Sequence, residues 1–182
     1  ATRLDDGSVC ALKTLKPSIA SDQRKAVERF GREARVGEQI GNRHIVDVLA
    51  TGFDEATGLH WLTMEFLDGL PLGAYLSQRP PDRDTRLRLI DELFSAMAAA
   101  HRAGVIHRDL KPENLFVVDL DTRPTLKVLD FGVAKTLRSG LAASATEGGL
   151  GTPLWTAPEQ GKGGEHIRPS VDVWALGLLA FY

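Results

Sequence analysis

One octapeptide constrains this chain more than anything else in it: His107-Arg108-Asp109-Leu110-Lys111-Pro112-Glu113-Asn114. It is followed by Asp130-Phe131-Gly132 and then by Ala157-Pro158-Glu159. Each segment is polar or turn-forming, and the runs Val105-Ile106 and Leu115 to Val118 flank the first. The segments therefore read as loops set on regular elements. Chance accounts easily for one such motif, but not for all three in this order and spacing.

The flanking pattern gives the elements. Val9 to Leu15 alternates as a strand after a turn at Asp5-Asp6-Gly7. Ser21 is a fair N-cap for a helix to about Ile40, with Val27, Phe30, Ala34 and Ile40 near one stripe and Glu33 beside it. Strands are expected at about Ile45 to Phe53 and Leu59 to Phe66, joined by the turn from Asp54 to Gly58. Asp68-Gly69-Leu70-Pro71 breaks the pattern and reads as a linker. A long helix from about Asp84 to Ala103 follows, with Leu87, Ile90, Phe94, Met97 and His101 on its core face and Gly104 ending it. Leu115 to Val118 and Thr125 to Leu129 are short β runs, and Ala134 to Thr156 is a long loop of the kind that is usually functional. The apolar run Val171 to Tyr182 is too short to span a bilayer, contains Asp172 and reads as a buried core helix. A β-rich part thus precedes a helical one, in an α+β arrangement.

Composition narrows the function classes. A net charge of −2 on 182 residues gives no reason to propose nucleic acid or an anionic membrane as partner. The single cysteine, Cys10, excludes an intrachain disulfide and reads as a small buried apolar residue on its strand. No signal peptide is visible.

In order and spacing the three motifs resemble the catalytic loop, metal-binding loop and activation-segment end of the protein-kinase family. The resemblance covers essentially the whole chain. It implies a two-lobed kinase-like α+β fold, with residues 1–67 as a partial β-rich N-lobe with hinge and 68–182 as a partial helical C-lobe. Lys111 and the run Gly151 to Glu159 resemble the serine/threonine branch in its bacterial style. ATP and Mg²⁺ are the implied cofactors, and proteins with Ser or Thr acceptors the implied substrates. The implied location is the cytoplasm, with the parent protein membrane-anchored where relatives carry a span and external sensor after the kinase domain.

The roles carry over residue by residue. Asp109 would be the catalytic base, Lys111 would contact the γ-phosphate, and Asn114 and Asp130 would hold the metal. Lys13, in Val9-Cys10-Ala11-Leu12-Lys13, would pair with the α- and β-phosphates, with Ala11 on the same strand face against the adenine. Glu33 fits the glutamate that pairs with that lysine, with Glu28 and Glu38 as alternatives. Met64 would be the gatekeeper, Glu65 and Leu67 would offer backbone groups to the adenine edge, and Phe116 would cover the ring from below. Thr152 would hydrogen-bond Asp109 and Lys111, and Asp172 would anchor the catalytic-loop backbone. His107 reads as structural, since a lone histidine is more often a satisfied buried residue than an acid or base; Phe131, Gly132 and Glu159 are structural too. Arg108, Arg29 and Lys135 fall where a basic pocket for a phosphorylated activation segment would form, with Thr146 as first phosphosite and Ser144 as second. Solvated surface cations are the plainer reading of those three.

The family's glycine-rich phosphate loop does not appear before Lys13, and the later helices that carry the family's arginine partner for Glu159 do not appear after the apolar run Val171 to Tyr182, which would leave a buried carboxylate unpaired. With Ala1 at one end and an uncapped apolar run at the other, the chain reads as a catalytic-domain fragment. A non-catalytic scaffold of the same fold would lack the equivalents of Lys13, Asp109 or Asp130. A small-molecule kinase would carry His-Gly-Asp and no Ala-Pro-Glu. Neither departure is present.

Overall fold

The computed structural model describes residues 1–15, 40–131, 154–162 and 168–182. The expected helix from Ser21 to Ile40, save Ile40 itself, and residues 134–153 of the expected loop from Ala134 to Thr156 lie outside the described residues. The first sheet contains β1 (Cys10–Leu15), β2 (Val48–Asp54) and β3 (Leu59–Glu65) in the order β1-β3-β2, all antiparallel. The β2–β3 turn closes through Asp54, whose carboxylate accepts the Ala56 N–H (3.1 Å) and the Thr57 hydroxyl (2.6 Å). Gly58 takes the left-handed φ of 68° that lets the chain reverse there.

The second sheet contains β4 (Gly69–Pro71), β5 (Leu115–Val118) and β6 (Thr125–Val128), ordered β4-β5-β6 and antiparallel. The helices are α1 (Leu72–Gln78), α2 (Arg83–Arg102) and α3 (Ser170–Ala180). Asp82 caps α2 by accepting the Thr85 N–H at 2.8 Å, which holds its carboxyl below the usual range. Leu93, Ala96 and Met97 of α2, Leu115 and Val117 of β5, Leu126 and Val128 of β6, and Ala175 and Leu179 of α3 form one core.

The segment that leads into β2 joins this core at Ile45. Ile45, 2% exposed, bridges to Val128 in parallel; the Val46 N–H donates to the Val128 carbonyl (3.0 Å), and the Val128 N–H to the His44 carbonyl (2.8 Å). A buried polar set lies beside it. The Glu92 carboxylate accepts the Leu126 N–H at 2.9 Å and lies 3.3 Å from Arg88 Nη1, while His44 Nδ1–H donates to the Leu126 carbonyl at 3.1 Å.

Several expectations need correction. The second strand begins at Val48, because residues 44–46 pair with β6 instead of extending β2. Gly69–Pro71 forms a short strand instead of irregular chain; it lies so close to β5 that a Cβ on Gly69 would collide with the Val117 carbonyl oxygen. Leu87 and Phe94 are exposed, at 51% and 43%. The buried residues of α2 are Leu89, Glu92, Leu93, Ala96, Met97, Ala99 and Ala100, so Met97 is inside as expected while the rest of the stripe is rotated toward β6, where Glu92 accepts the Leu126 N–H. α3 buries one face only: Val171, Asp172, Ala175 and Leu179 are inside, and Val173 and Trp174 are exposed. Glu159 is exposed and lies 3.4 Å from the Ser170 hydroxyl, so no buried unpaired carboxylate arises there.

Candidate active site

The octapeptide enters the site from the C-terminal end of α2 and leaves it as β5. Pro112–Asn114 forms a single 3-10 turn, with proline at its start supplying a fixed φ. Asp109 and Asn114 meet across that turn: Asn114 Nδ2 donates to the Asp109 carbonyl (2.7 Å) and lies 3.3 Å from its Oδ2. Lys111 Nζ is 3.1 Å from the same Oδ2. With its amide hydrogens turned to Asp109, Asn114 keeps Oδ1 as an acceptor, a hard oxygen of the kind Mg²⁺ prefers.

Leu129 fastens this loop to the one that carries Asp130. Its N–H donates to the Asn114 carbonyl (2.9 Å), and its carbonyl accepts from His107 Nε2 (2.8 Å). His107 is fully buried, so its Nε2–H donates while Nδ1 accepts the Asp109 N–H at 3.3 Å. Burial pushes its pKa below the ordinary value of 6.5, against the pull of the Leu129 carbonyl and nearby carboxylates. The Phe131 ring packs on it with centroids 4.8 Å apart.

Asp172, in the first turn of α3 and 1% exposed, holds the other side of the loop. Its Oδ2 accepts the His107 N–H (2.8 Å) and lies 2.8 Å from His101 Nε2, while Oδ1 accepts the Arg108 N–H (2.8 Å). Two site residues have left-handed backbones, Arg108 at φ 69° and Asp130 at φ 53°. Such a conformation costs a non-glycine residue about 1–2 kcal/mol, so bonded neighbours must hold it.

From the first sheet comes Lys13, whose Nζ lies 2.6 Å from Asp130 Oδ1. Ala11 is on the same strand face and pairs in register with Met64. Glu65 ends β3, and its carboxylate accepts the Asp47 N–H (2.9 Å) and pairs with Lys127 of β6 at 2.6 Å. Leu67 follows, half-buried, and Phe116 lies in β5 opposite Lys127.

The structure thus brings together Lys13, His107, Arg108, Asp109, Lys111, Asn114, Asp130, Phe131 and Asp172. Glu33, Arg29, Gly132, Lys135, Thr146 and Thr152 lie outside the described residues. Sequence reasoning missed the Glu65–Lys127 pair and Gln160, whose side chain reaches the Arg108 carbonyl. For Lys127 a signal existed, a lone lysine in the apolar run before Asp130. An apolar cavity of about 290 Å³, lined by Leu72, Leu76, Leu89, Leu93, Leu126 and Tyr182, involves none of these residues.

The site residues could hold a nucleotide and a divalent ion. Asp130 and Asn114 offer oxygen ligands, and Mg²⁺ commonly takes one or two carboxylates, completing its shell with water and phosphate oxygens. Among the described residues no helix is long and apolar enough to cross a membrane.

Comparison with known proteins agrees with this geometry. The protein kinase domain family matches residues 1–182. The serine/threonine-protein kinase pkn3 of Myxococcus xanthus is 37% identical over 186 residues, covering 100% of this chain and 34% of that protein. Pkn1 of the same organism is 36% identical, over 96% of this chain and 25% of that protein. PrkC of Bacillus subtilis, also a serine/threonine-protein kinase, is 32% identical, over 94% of this chain and 25% of its own length. The chain therefore spans about a third or less of the curated relatives it matches. By the match along its whole length and by the loops that converge on Asp109 and Asp130, the chain belongs to the protein kinase domain family.

Proposed function

We propose that this chain is the catalytic segment of an ATP-dependent serine/threonine protein kinase, transferring the γ-phosphoryl group of ATP to Ser or Thr hydroxyls of proteins. The observation that carries the reading is the junction at Leu129, which ties the Asp109–Asn114 turn to Asp130 while Lys13 reaches Asp130 from the other sheet. The names of its relatives support the acceptor class.

Mg²⁺, when bound, would neutralise phosphate charge, held by Asn114 Oδ1 and the Asp130 carboxylate. Lys13 would give up part of its pairing with Asp130 to contact the phosphates. Lys111, beside Asp109, would meet the γ-phosphoryl group. Asp109 would orient the acceptor hydroxyl and take its proton; alignment matters more than base strength, so an ordinary carboxylate suffices. Ala11, Met64, Leu67, Phe116 and the backbone of Glu65 would frame the adenine. Glu33 would pair with Lys13, and Thr152 would join Asp109 and Lys111. Residues 1–67 and 68–182 would act as the two lobes, in the cytoplasm where ATP is available. Arg108, with Arg29 and Lys135, would receive a phosphate on Thr146.

The test is transfer from radiolabelled Mg·ATP to a serine-containing protein. Asp109→Asn is expected to lower the rate about 10²–10⁴-fold. Transfer that is unaffected by this change, or that reaches only small-molecule hydroxyls, would overturn the reading. Thr146→Ala with undiminished activity would remove the regulatory part.

A further inference from the structure

We propose that Gln160 is a positioning residue for catalysis: its side-chain amide fixes the peptide bond that precedes Asp109. This rests on the kinase reading above. Arg108 is left-handed, and a residue in that region relaxes to a commoner one unless its flanking peptides are held. The amide before Arg108 is held by Asp172 Oδ1. The one after it, joining Arg108 to Asp109, is held on both sides. Its N–H meets His107 Nδ1 at 3.3 Å, and its carbonyl accepts from Gln160 Nε2 at 2.9 Å. That peptide plane sets the direction in which the Asp109 side chain leaves the backbone.

The other end of the Gln160 amide is equally committed. Its Oε1 accepts the N–H of Ala157, which is 1% exposed, at 3.0 Å, and the Gln160 N–H donates to the Ala157 carbonyl at 2.9 Å. These partners fix the orientation of the amide, with oxygen toward the donor and nitrogen toward the acceptor. Gln160 therefore ties the Ala157-Pro158-Glu159 segment directly to the catalytic loop. The plainer role, capping the 3-10 turn Pro158–Lys162, would need only the contact with Ala157.

Gln160→Glu separates the two roles. A carboxylate still accepts the Ala157 N–H but cannot donate to the Arg108 carbonyl, which it would repel. Gln160→Leu removes both contacts. In the full chain, Gln160→Glu is expected to lower kcat about tenfold or more, a misplacement effect, while KM for ATP stays within about twofold. Hydrogen exchange of the segment containing Arg108 and Asp109 should quicken in the same variant, with a thermal midpoint above that of Gln160→Leu. An unchanged kcat, a KM that rises with kcat constant, or unchanged loop exchange would each overturn the proposal. Should the unsubstituted chain transfer no phosphate, the kinase reading fails, and the exchange measurement still decides the clamp.

Discussion

The two halves of the site are held by different means. In the helical region, His107, Arg108 and Asp109 are bonded to Asp172, Leu129 and Gln160, and the anchors His107 and Asp172 are buried at 0% and 1% exposure. In the first sheet, Lys13 stands on a strand whose neighbour Leu12 is half-exposed, and it meets Asp130 in a pair 38% and 39% exposed. Buried, multiply bonded groups resist displacement, whereas an ion pair open to water is worth little and is easily exchanged. Asp109 and the Asn114 turn are therefore fixed, and Lys13, under the proposed function, is free to trade its partner for ligand.

The largest break in this contrast should come from Asp172→Ala. It strands the buried N–H groups of His107 and Arg108, so a loss of about 3–5 kcal/mol is expected by urea unfolding. A loss below about 1 kcal/mol would show that the loop does not depend on this anchor. Next, Leu93→Ala, in the core at 3% exposure, should lose about 2–5 kcal/mol, whereas Leu12→Ala on the first sheet should stay within about 0.5 kcal/mol. Equal losses would erase the contrast.

A smaller effect is read in pH. The folded pKa of His107 is depressed below 6.5, so below that pH the unfolded chain binds a proton the folded one refuses. Stability should fall on acidification below about pH 6.5, by up to about 1.4 kcal/mol per pH unit. This slope should shrink in His107→Gln; an identical slope would assign it to other groups. Smallest in stability is Lys13→Met, which should shift unfolding by less than about 1 kcal/mol while phosphate transfer collapses. A large stability loss would mean that the pair is structural.

Much of this was legible in the sequence. The order of the loops, strands β1, β3, β5 and β6 and the long second helix follow from motif spacing and alternation, and the candidate site residues from the resemblance those motifs carry. What failed is instructive. Periodicity set the stripe of α2 on Leu87, Ile90, Phe94, Met97 and His101; packing kept Met97 but buried Leu89, Leu93 and Ala96 in place of Leu87 and Phe94, since the face that meets β6 is decided by the tertiary partner and not by local spacing. Gly69 and Pro71 looked like punctuation, but the partner strand arrives from residues about 45 positions later, which no local rule registers.

Sequence alone determined the chemistry available here: two carboxylates, an amide and two lysines in motifs whose residue types are suited to phosphate, metal and proton. Only tertiary structure decided how they are aimed. The left-handed turn at Arg108 is locally unfavourable, so it exists because Asp172, from sixty-four residues beyond it, and Gln160, from fifty-two, supply the bonds that hold the loop.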